Sequence, residues 1–438
     1  MNRLWKSLLG LMLVGAVSPA LRAETAAPAV NTGDTAWLLM SSALVLLMTP
    51  ALAFFYGGLV RKKNMLSVLM QCFMLMGIVT LQWVLFGYSL AFGPDVHGFI
   101  GNLKWAFLTG VGQAPNPDYA ATVPHQAFMI FQAMFAIITP GLILGAFAER
   151  MKFSAFCLFS ILWATLVYDP VCHWVWGVGG FLRNMGALDF AGGTVVHINA
   201  GVAALAAALV LGKRHGFPHR MSPPHNLPFA VLGAGLLWFG WFGFNAGSAL
   251  SSGGLAVNAF VTTHIAAAVA GLTWAFLDWI FHKHPTVLGM ITGAVGGLVA
   301  ITPAAGFVSP MGAIGIGVGV SVICYFSVVV VKAKLGYDDT LDAFGVHGVG
   351  GMWGALATGL WATKAVNPAG ADGLFYGNPA QFLIQAKAVA FTVIYSFIAS
   401  VVLLKFVDAV VGLRVTEENE RIGLDLTEHS EAAYTLLD

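Results

Sequence analysis

The chain has 438 residues, of which 58% are hydrophobic and only 9% charged, with a formal net charge of +1. Soluble globular proteins carry about 25% charged residues, so this composition excludes a water-covered globule. The near-neutral balance also argues against a nucleic-acid partner, which calls for a basic face.

Residues 1–23 have a short basic start (Arg3, Lys6), an apolar run over 8–17 and a small-residue end. That is the layout of a secretory signal peptide, cut after Ala20 or Ala23. The alternative is an uncleaved first span, for which the apolar run is short: a span needs about 20 residues. Cleavage would leave the mature N-terminus outside.

Eleven apolar segments follow, at 36–60, 64–92, 124–148, 153–173, 194–212, 227–250, 254–281, 285–305, 311–333, 342–363 and 379–408. Each is long enough to cross about 30 Å of hydrocarbon as a helix, the form that satisfies every backbone polar group within its own segment. The expected fold is an all-α polytopic membrane protein with 11 transmembrane helices, N-terminus out and C-terminus in. Charge supports the orientation. Arg61-Lys62-Lys63, Arg150, Lys152, Lys213-Arg214, Arg220, Lys283, Lys332 and Lys334 fall in loops on one side; Lys104, Arg183 and Lys364 fall on the other. Residues 24–410 form the membrane domain, and 411–438 form an acidic cytoplasmic tail containing enough order-promoting residues to dock. Cys72, Cys157, Cys172 and Cys324 form no C-x-x-C pairs and read as small hydrophobes.

Polar residues inside spans are rare and costly, which makes each a site candidate. Two stretches echo one another: Leu188-Asp189-Phe190-Ala191-Gly192-Gly193-Thr194-Val195-Val196-His197 and Leu341-Asp342-Ala343-Phe344-Gly345-Val346-His347. They open the fifth and tenth spans from opposite sides, the logic of an inverted repeat of spans 1–5 and 6–10 with a site near the midplane. Eight residues from Asp189 to His197 amount to about 12 Å of helix. His347 follows Asp342 by only five residues and reaches the same depth only if its helix starts inside the protein. Two readings stay open: the histidines meet and share a proton, or each bonds separately to a neighbouring helix. Asp189 reads as a helix N-cap, which is compatible with its stabilising a cation through its field.

Aromatic faces can hold a cation. Trp174 and Trp176 lie between spans four and five, Phe131 and Phe135 share one face of span three, and Phe244 precedes Ser248 by one turn at the end of span six. Taken singly, each reads as core or interface belt. His264 in span seven and His173 read as structural.

At this point the residues resemble a known family. Phe54-Phe55-Tyr56-Gly57-Gly58-Leu59-Val60-Arg61-Lys62-Lys63-Asn64, Asp189 through His197, Trp241-Phe242-Gly243-Phe244-Asn245-Ala246-Gly247-Ser248 and Phe344-Gly345-Val346-His347-Gly348 are similar, in order, to signatures of the ammonium transporter (Amt/Mep/Rh) family, in its bacterial Amt form. The resemblance implies a homotrimer of the inner membrane with one pore per subunit and no cofactor. It implies that Trp176, Phe135 and Ser248 recruit ammonium, with Trp174 the alternative to Trp176, and that Phe135 and Phe244 form a gate. His197 and His347 would line the pore with Trp241, Asp189 would support the cation indirectly, and Asp342 would precede the second histidine. The tail would dock a PII-type signalling protein. The competing classes are a sensor acting through the tail, a channel for another small neutral solute such as water or urea, and a membrane enzyme. The last lacks any G-x-S-x-G, H-E-x-x-H or P-loop motif.

Overall fold

The computed structural model describes residues 29–219 and 223–434, so the proposed signal segment lies outside the described residues. The molecule is a bundle of long helices: α1 (Thr32–Leu59), α2 (Lys62–Phe92), α3 (His125–Phe147), α4 (153–176), α5 (Gly193–Leu211), α6 (Leu227–Gly247), α7 (Gly254–His282), α8 (Val287–Ile301), α9 (Pro310–Leu335), α10 (344–361) and α11 (Pro379–Val411). Among the described residues, nine helices are long and apolar enough to cross a membrane. The shorter α8 continues as buried turns over 302–306, and α10 starts late, after a loop at 336–342 that is buried over 337–340. The segment between α2 and α3 folds into two hairpins, β1–β2 (Asp95–Val96 with Ile100–Gly101) and β3–β4 (Pro115–Asn116 with Ala120–Pro124), separated by a short 3-10 stretch, Leu103–Leu108.

Helix α3 is enclosed on all sides, with nearly every residue of His125–Phe147 buried. Around it, helices pack in close pairs: α1 lies on α6 and α5 on α10. Glycine makes both contacts possible. A Cβ at Gly233 of α6 would collide with the α1 backbone at Phe55, and one at Gly201 of α5 would collide with the α10 backbone at Gly348.

One end of the bundle carries a buried charge lattice. Glu149 pairs with Arg61 at 3.0 Å and with Arg214 at 3.3 Å; Arg214 also pairs with Asp338 at 2.8 Å. Burial alone would raise the Glu149 and Asp338 carboxyls, but the arginines more than offset it and hold both below their usual range. The tail docks beside this lattice. Val415 N–H donates to the Arg150 carbonyl (3.1 Å), and Arg414 pairs with the buried Glu420 (2.7 Å). Two short tail helices, α12 (Glu417–Ile422) and α13 (Leu424–His429), reach helix starts that lack caps of their own. Asp425 accepts from Ser67 N–H at 2.8 Å near the start of α2, and Glu428 accepts from Phe153 N–H at 2.9 Å at the start of α4. Orphan helix N–H groups are thereby satisfied by tail carboxylates.

Candidate functional site: a column of aromatic rings and two histidines

The site is built on the starts of α5 and α10. Gly192 has φ of +116°, a left-handed turn that frees the next amides, and the Asp189 carboxylate collects four of them: Gly192 and Gly193 on Oδ1, both at 2.7 Å, and Thr194 and Val195 on Oδ2, at 2.7 and 3.2 Å. The capping reading of Asp189 thus holds, and both of its oxygens are occupied. At the start of α10 the corresponding carboxylate is Asp339, which accepts from Ala343 N–H (3.1 Å) and Phe344 N–H (2.8 Å). Asp342 instead has a left-handed backbone (φ +60°) and an ion pair with Lys332 at 2.7 Å. The sequence echo pairing Asp189 with Asp342 is therefore three residues out of register. Asp339 to His347 is eight residues, the same spacing as Asp189 to His197, which removes the mismatch in depth.

Each histidine sits in a π turn, Gly193–Ile198 or Phe344–Gly348. The crossing of α5 and α10 is reciprocal. Gly201, four residues after His197, meets the backbone just after His347; Gly351, four residues after His347, meets the backbone just after His197, where a Cβ would lie 3.0 Å from Ile198 N. This close approach leaves the two imidazoles near-parallel, with ring centroids 5.4 Å apart. Both nitrogens of His197, and Nδ1 of His347, have no hydrogen-bond partner among the described residues. The reading in which each histidine bonds separately to a neighbouring helix therefore fails for His197. Trp241 stacks beside His197 at 5.4 Å, held by its Nε1–H donating to Thr302 Oγ1 at 2.8 Å.

Above the histidines the rings continue. Phe244 lies 6.0 Å from His197, Phe135 lies 4.3 Å from Phe244, and Trp176 stands perpendicular to Phe135 at 5.9 Å. Phe131 abuts Phe135 from behind at 5.0 Å and is fully buried. Trp176 lines a cleft of about 190 Å³ together with Asp189, Gln132 and Ser248. Ser248 donates its hydroxyl to the Phe244 carbonyl at 2.8 Å, which leaves its oxygen lone pairs as acceptors. Trp174 points elsewhere, against Phe181 and Tyr395, so the choice between the two tryptophans falls to Trp176. His173 is structural, bonded to the Ala91 carbonyl (3.0 Å) and Asp95 (2.9 Å). His264 is exposed on α7 beside Trp238.

Below the rings the lumen narrows to a space of about 10 Å³ between Leu52, Ile138, Leu142, Val295 and the two histidines, room for about one water. It is followed by a cleft of about 340 Å³ lined by His347, Asp342, Asp278 and Arg214. Asp339, Thr302 and the glycines at the α5–α10 crossing escaped the sequence reading; the eight-residue spacing before each histidine was the signal for Asp339.

A helical bundle of this hydropathy, with a cleft on either side of the ring column and a water-sized apolar space beside the histidines, is the architecture of a multi-pass membrane protein. The sequence pattern of the Ammonium Transporter Family matches residues 36–434. An ammonium transporter from Bacillus subtilis (strain 168) is 55% identical over 405 residues, covering 92% of this chain and 99% of its own length. The crystal structure of Candida albicans Mep2 superposes with a TM-score of 0.85 at 37% identity, over 92% of this chain and 91% of that one. A chain described as a sensor Amt protein matches at TM-score 0.83 and 30% identity, over 91% and 98%. The chain belongs to the ammonium transporter family.

Proposed function

We propose that this chain transports ammonium by binding the cation at the Trp176–Ser248 cleft, removing a proton, and passing ammonia along His197 and His347. The aromatic column carries this reading. A full charge is strongly disfavoured in an apolar passage, and aromatic faces compensate by only about 0.5–2 kcal/mol. They can recruit a cation at a mouth but not escort it through. With Phe135 and Phe244 rings 4.3 Å apart, a hydrated ion has no room. Ammonia, once neutral, is about the size of the water that the lumen fits. Beneath the gate, His197 and His347 offer nitrogens that can each donate or accept a hydrogen bond, which equips the pair to guide ammonia and pass on a proton. Potassium has no proton to shed, so the same passage rejects it.

The remaining roles follow from position. Asp189, with both oxygens engaged by amides, positions the α5 start and contributes negative potential without ligating. Trp241 fixes the plane of His197. Phe131 backs the gate. Asp342, paired to Lys332, lies in the exit cleft beside His347.

The same reading places eleven spans in the inner membrane, residues 1–23 as a cleaved signal peptide, the Trp176 cleft outside and the charge lattice inside. The basic loops support this orientation, and the pairwise packing of α1 on α6 and α5 on α10 supports an inverted repeat. His264, exposed near the middle of α7, supports a homotrimer, because polar residues at membrane depth almost always face protein. The docked tail offers a surface for a PII-type signalling protein.

The test is current across a solid-supported membrane carrying purified protein after an ammonium jump, with potassium as control. A current with ammonium and none with potassium supports the reading. Silence toward ammonium, together with no internal alkalinisation of liposomes, would sink it and leave a sensor or a channel for another neutral solute.

A further inference from the structure

The Trp176–Ser248 cleft also holds a fixed positive charge. Helix α4 ends at Trp176, and Gly179 (φ +99°) turns the chain back into a one-turn helix, Phe181–Met185. That turn brings Arg183 over the end of α4, where its Nη1–H donates to the Trp176 carbonyl at 2.6 Å. A cation bonded to the last carbonyls of a helix is ordinary end chemistry. Arg183, however, also lines the cleft of about 190 Å³, and the bond pins its charge there. A guanidinium cannot shed that charge.

The rest of the lining attracts cations. Asp118, exposed in the β3–β4 turn, lines the same cleft, and Asp189 adds a second negative charge. Among the described residues, neither Asp118 nor Arg183 forms an ion pair. Gln132 Oε1 is buried with no hydrogen-bond partner among the described residues, and Ser248 keeps its lone pairs. Carboxylate, amide and hydroxyl oxygens are what hard divalent ions prefer. Coulomb energy scales with the charge of the ion, so a mouth that attracts one charge attracts two more strongly. The same scaling makes a fixed cation reject a divalent ion more strongly than ammonium.

We propose, on the reading that this cleft receives ammonium, that Arg183 is a specificity-determining residue: it keeps divalent metal ions out while leaving the cleft open to a monovalent cation.

Ammonium-jump currents of the full-length protein in phosphatidylcholine liposomes test this, with and without magnesium chloride, sodium chloride holding the ionic strength equal. Low ionic strength is needed, because salt screens exposed charges. Magnesium should leave the wild-type KM where it is. Without magnesium, Arg183→Gln should lower KM for ammonium about 3-fold, the effect of one charge roughly 8 Å away in a medium close to water. The doubled charge of magnesium turns that factor into about 9-fold tighter binding, read as a magnesium-dependent rise in KM with the maximal current kept. Arg183→Lys keeps the charge and should stay as tolerant of magnesium as the wild type. Arg183→Gln with Asp118→Asn should regain tolerance. Should Arg183→Gln fail to fold, Arg183→Met reads the same charge. The proposal is overturned if the neutral variant tolerates magnesium as the wild type does. It is equally overturned if Arg183→Lys is as sensitive as Arg183→Gln, which would assign the effect to the bond with the Trp176 carbonyl. A wild type silent toward ammonium in the absence of magnesium is a different failure, that of the ammonium reading itself.

Discussion

The starts of α5 and α10 perform the same task with different means. Each buries a carboxylate eight residues before a histidine and uses it to gather helix amides. Asp189 collects four and has no charged side chain bonded to it, whereas Asp339 collects two and shares its surroundings with Asp342 and Lys332. The α5 start is thus over-determined and the α10 start is softer. In the proposed mechanism the rigid half faces cation selection and the soft half faces release. The histidines meet because glycine, not charge, sets the crossing of their helices.

The sharpest way to break the comparison is to remove what the two halves share. Replacing both His197 and His347 by Ala should lower selective ammonium transport by about 100-fold, the low end of what positioned proton transfer supplies. Ammonium-jump currents measure this, and a double variant retaining wild-type rate and potassium rejection would remove the histidines from the mechanism.

The crossing itself comes next. Gly201→Ala places a methyl group on the Gly348 backbone, where no side chain can yield. Gly351→Ala meets Ile198 N at 3.0 Å and the His197 Cβ at 3.1 Å, a contact relieved by a shift of a few tenths of an ångström. Gly201→Ala should therefore cost about 3 kcal/mol by overpacking and Gly351→Ala about 1. Thermal unfolding in detergent checks the order, and equal losses would deny that the two approaches differ.

The two carboxylates separate the halves further. Asp189→Ala strands four buried amides and should destabilise by about 3 kcal/mol, whereas Asp339→Ala strands two and should cost about half as much. Melting temperatures of the two variants, measured side by side, decide whether the α5 start is the more rigidly held.

How legible this was in the sequence depends on the kind of signal. Helix positions were legible because apolar runs of span length admit few alternatives in lipid: the third segment, expected at 124–148, is helix α3 at His125–Phe147. The hairpins over 95–124 were not, since four short strands carry no periodicity of note. His197, His347, Phe135 and Phe244 were legible through spacing and resemblance. Asp339 was missed because Leu341-Asp342 copies Leu188-Asp189 residue for residue and drew the echo three positions off; a local match in letters outweighed the eight-residue spacing that geometry obeys. Trp176 and Trp174 could not be separated by sequence, because a two-residue step on a helix turns one ring to the lumen and the other to the flank. The docked tail was legible only as composition. Its contacts at Ser67, Phe153 and Arg150 join residues hundreds of positions apart.

The smallest effect is also the most specific to the softer half. Burial, with the neighbouring Asp342 carboxylate, pushes Asp339 up to about 6, above the ordinary aspartate range near 3.9. Between those values the folded protein holds a proton that the unfolded chain has released, so the folded state binds more protons. Stability from this group is therefore greatest below about pH 4 and declines as pH rises toward 6, then stays level. The charge lattice acts in the opposite sense: Glu149 and Asp338 are held below their usual range, so their contribution is full at neutral pH and lost on acidification. A wild-type profile mixes the two, and the difference between wild type and Asp339→Asn isolates the first. Across pH 4 to 7 the wild type should lose melting temperature relative to Asp339→Asn up to about pH 6 and then run parallel to it. A difference that is flat throughout would mean that Asp339 is ionised across the range like an ordinary cap, and that the two helix starts are electrostatically alike.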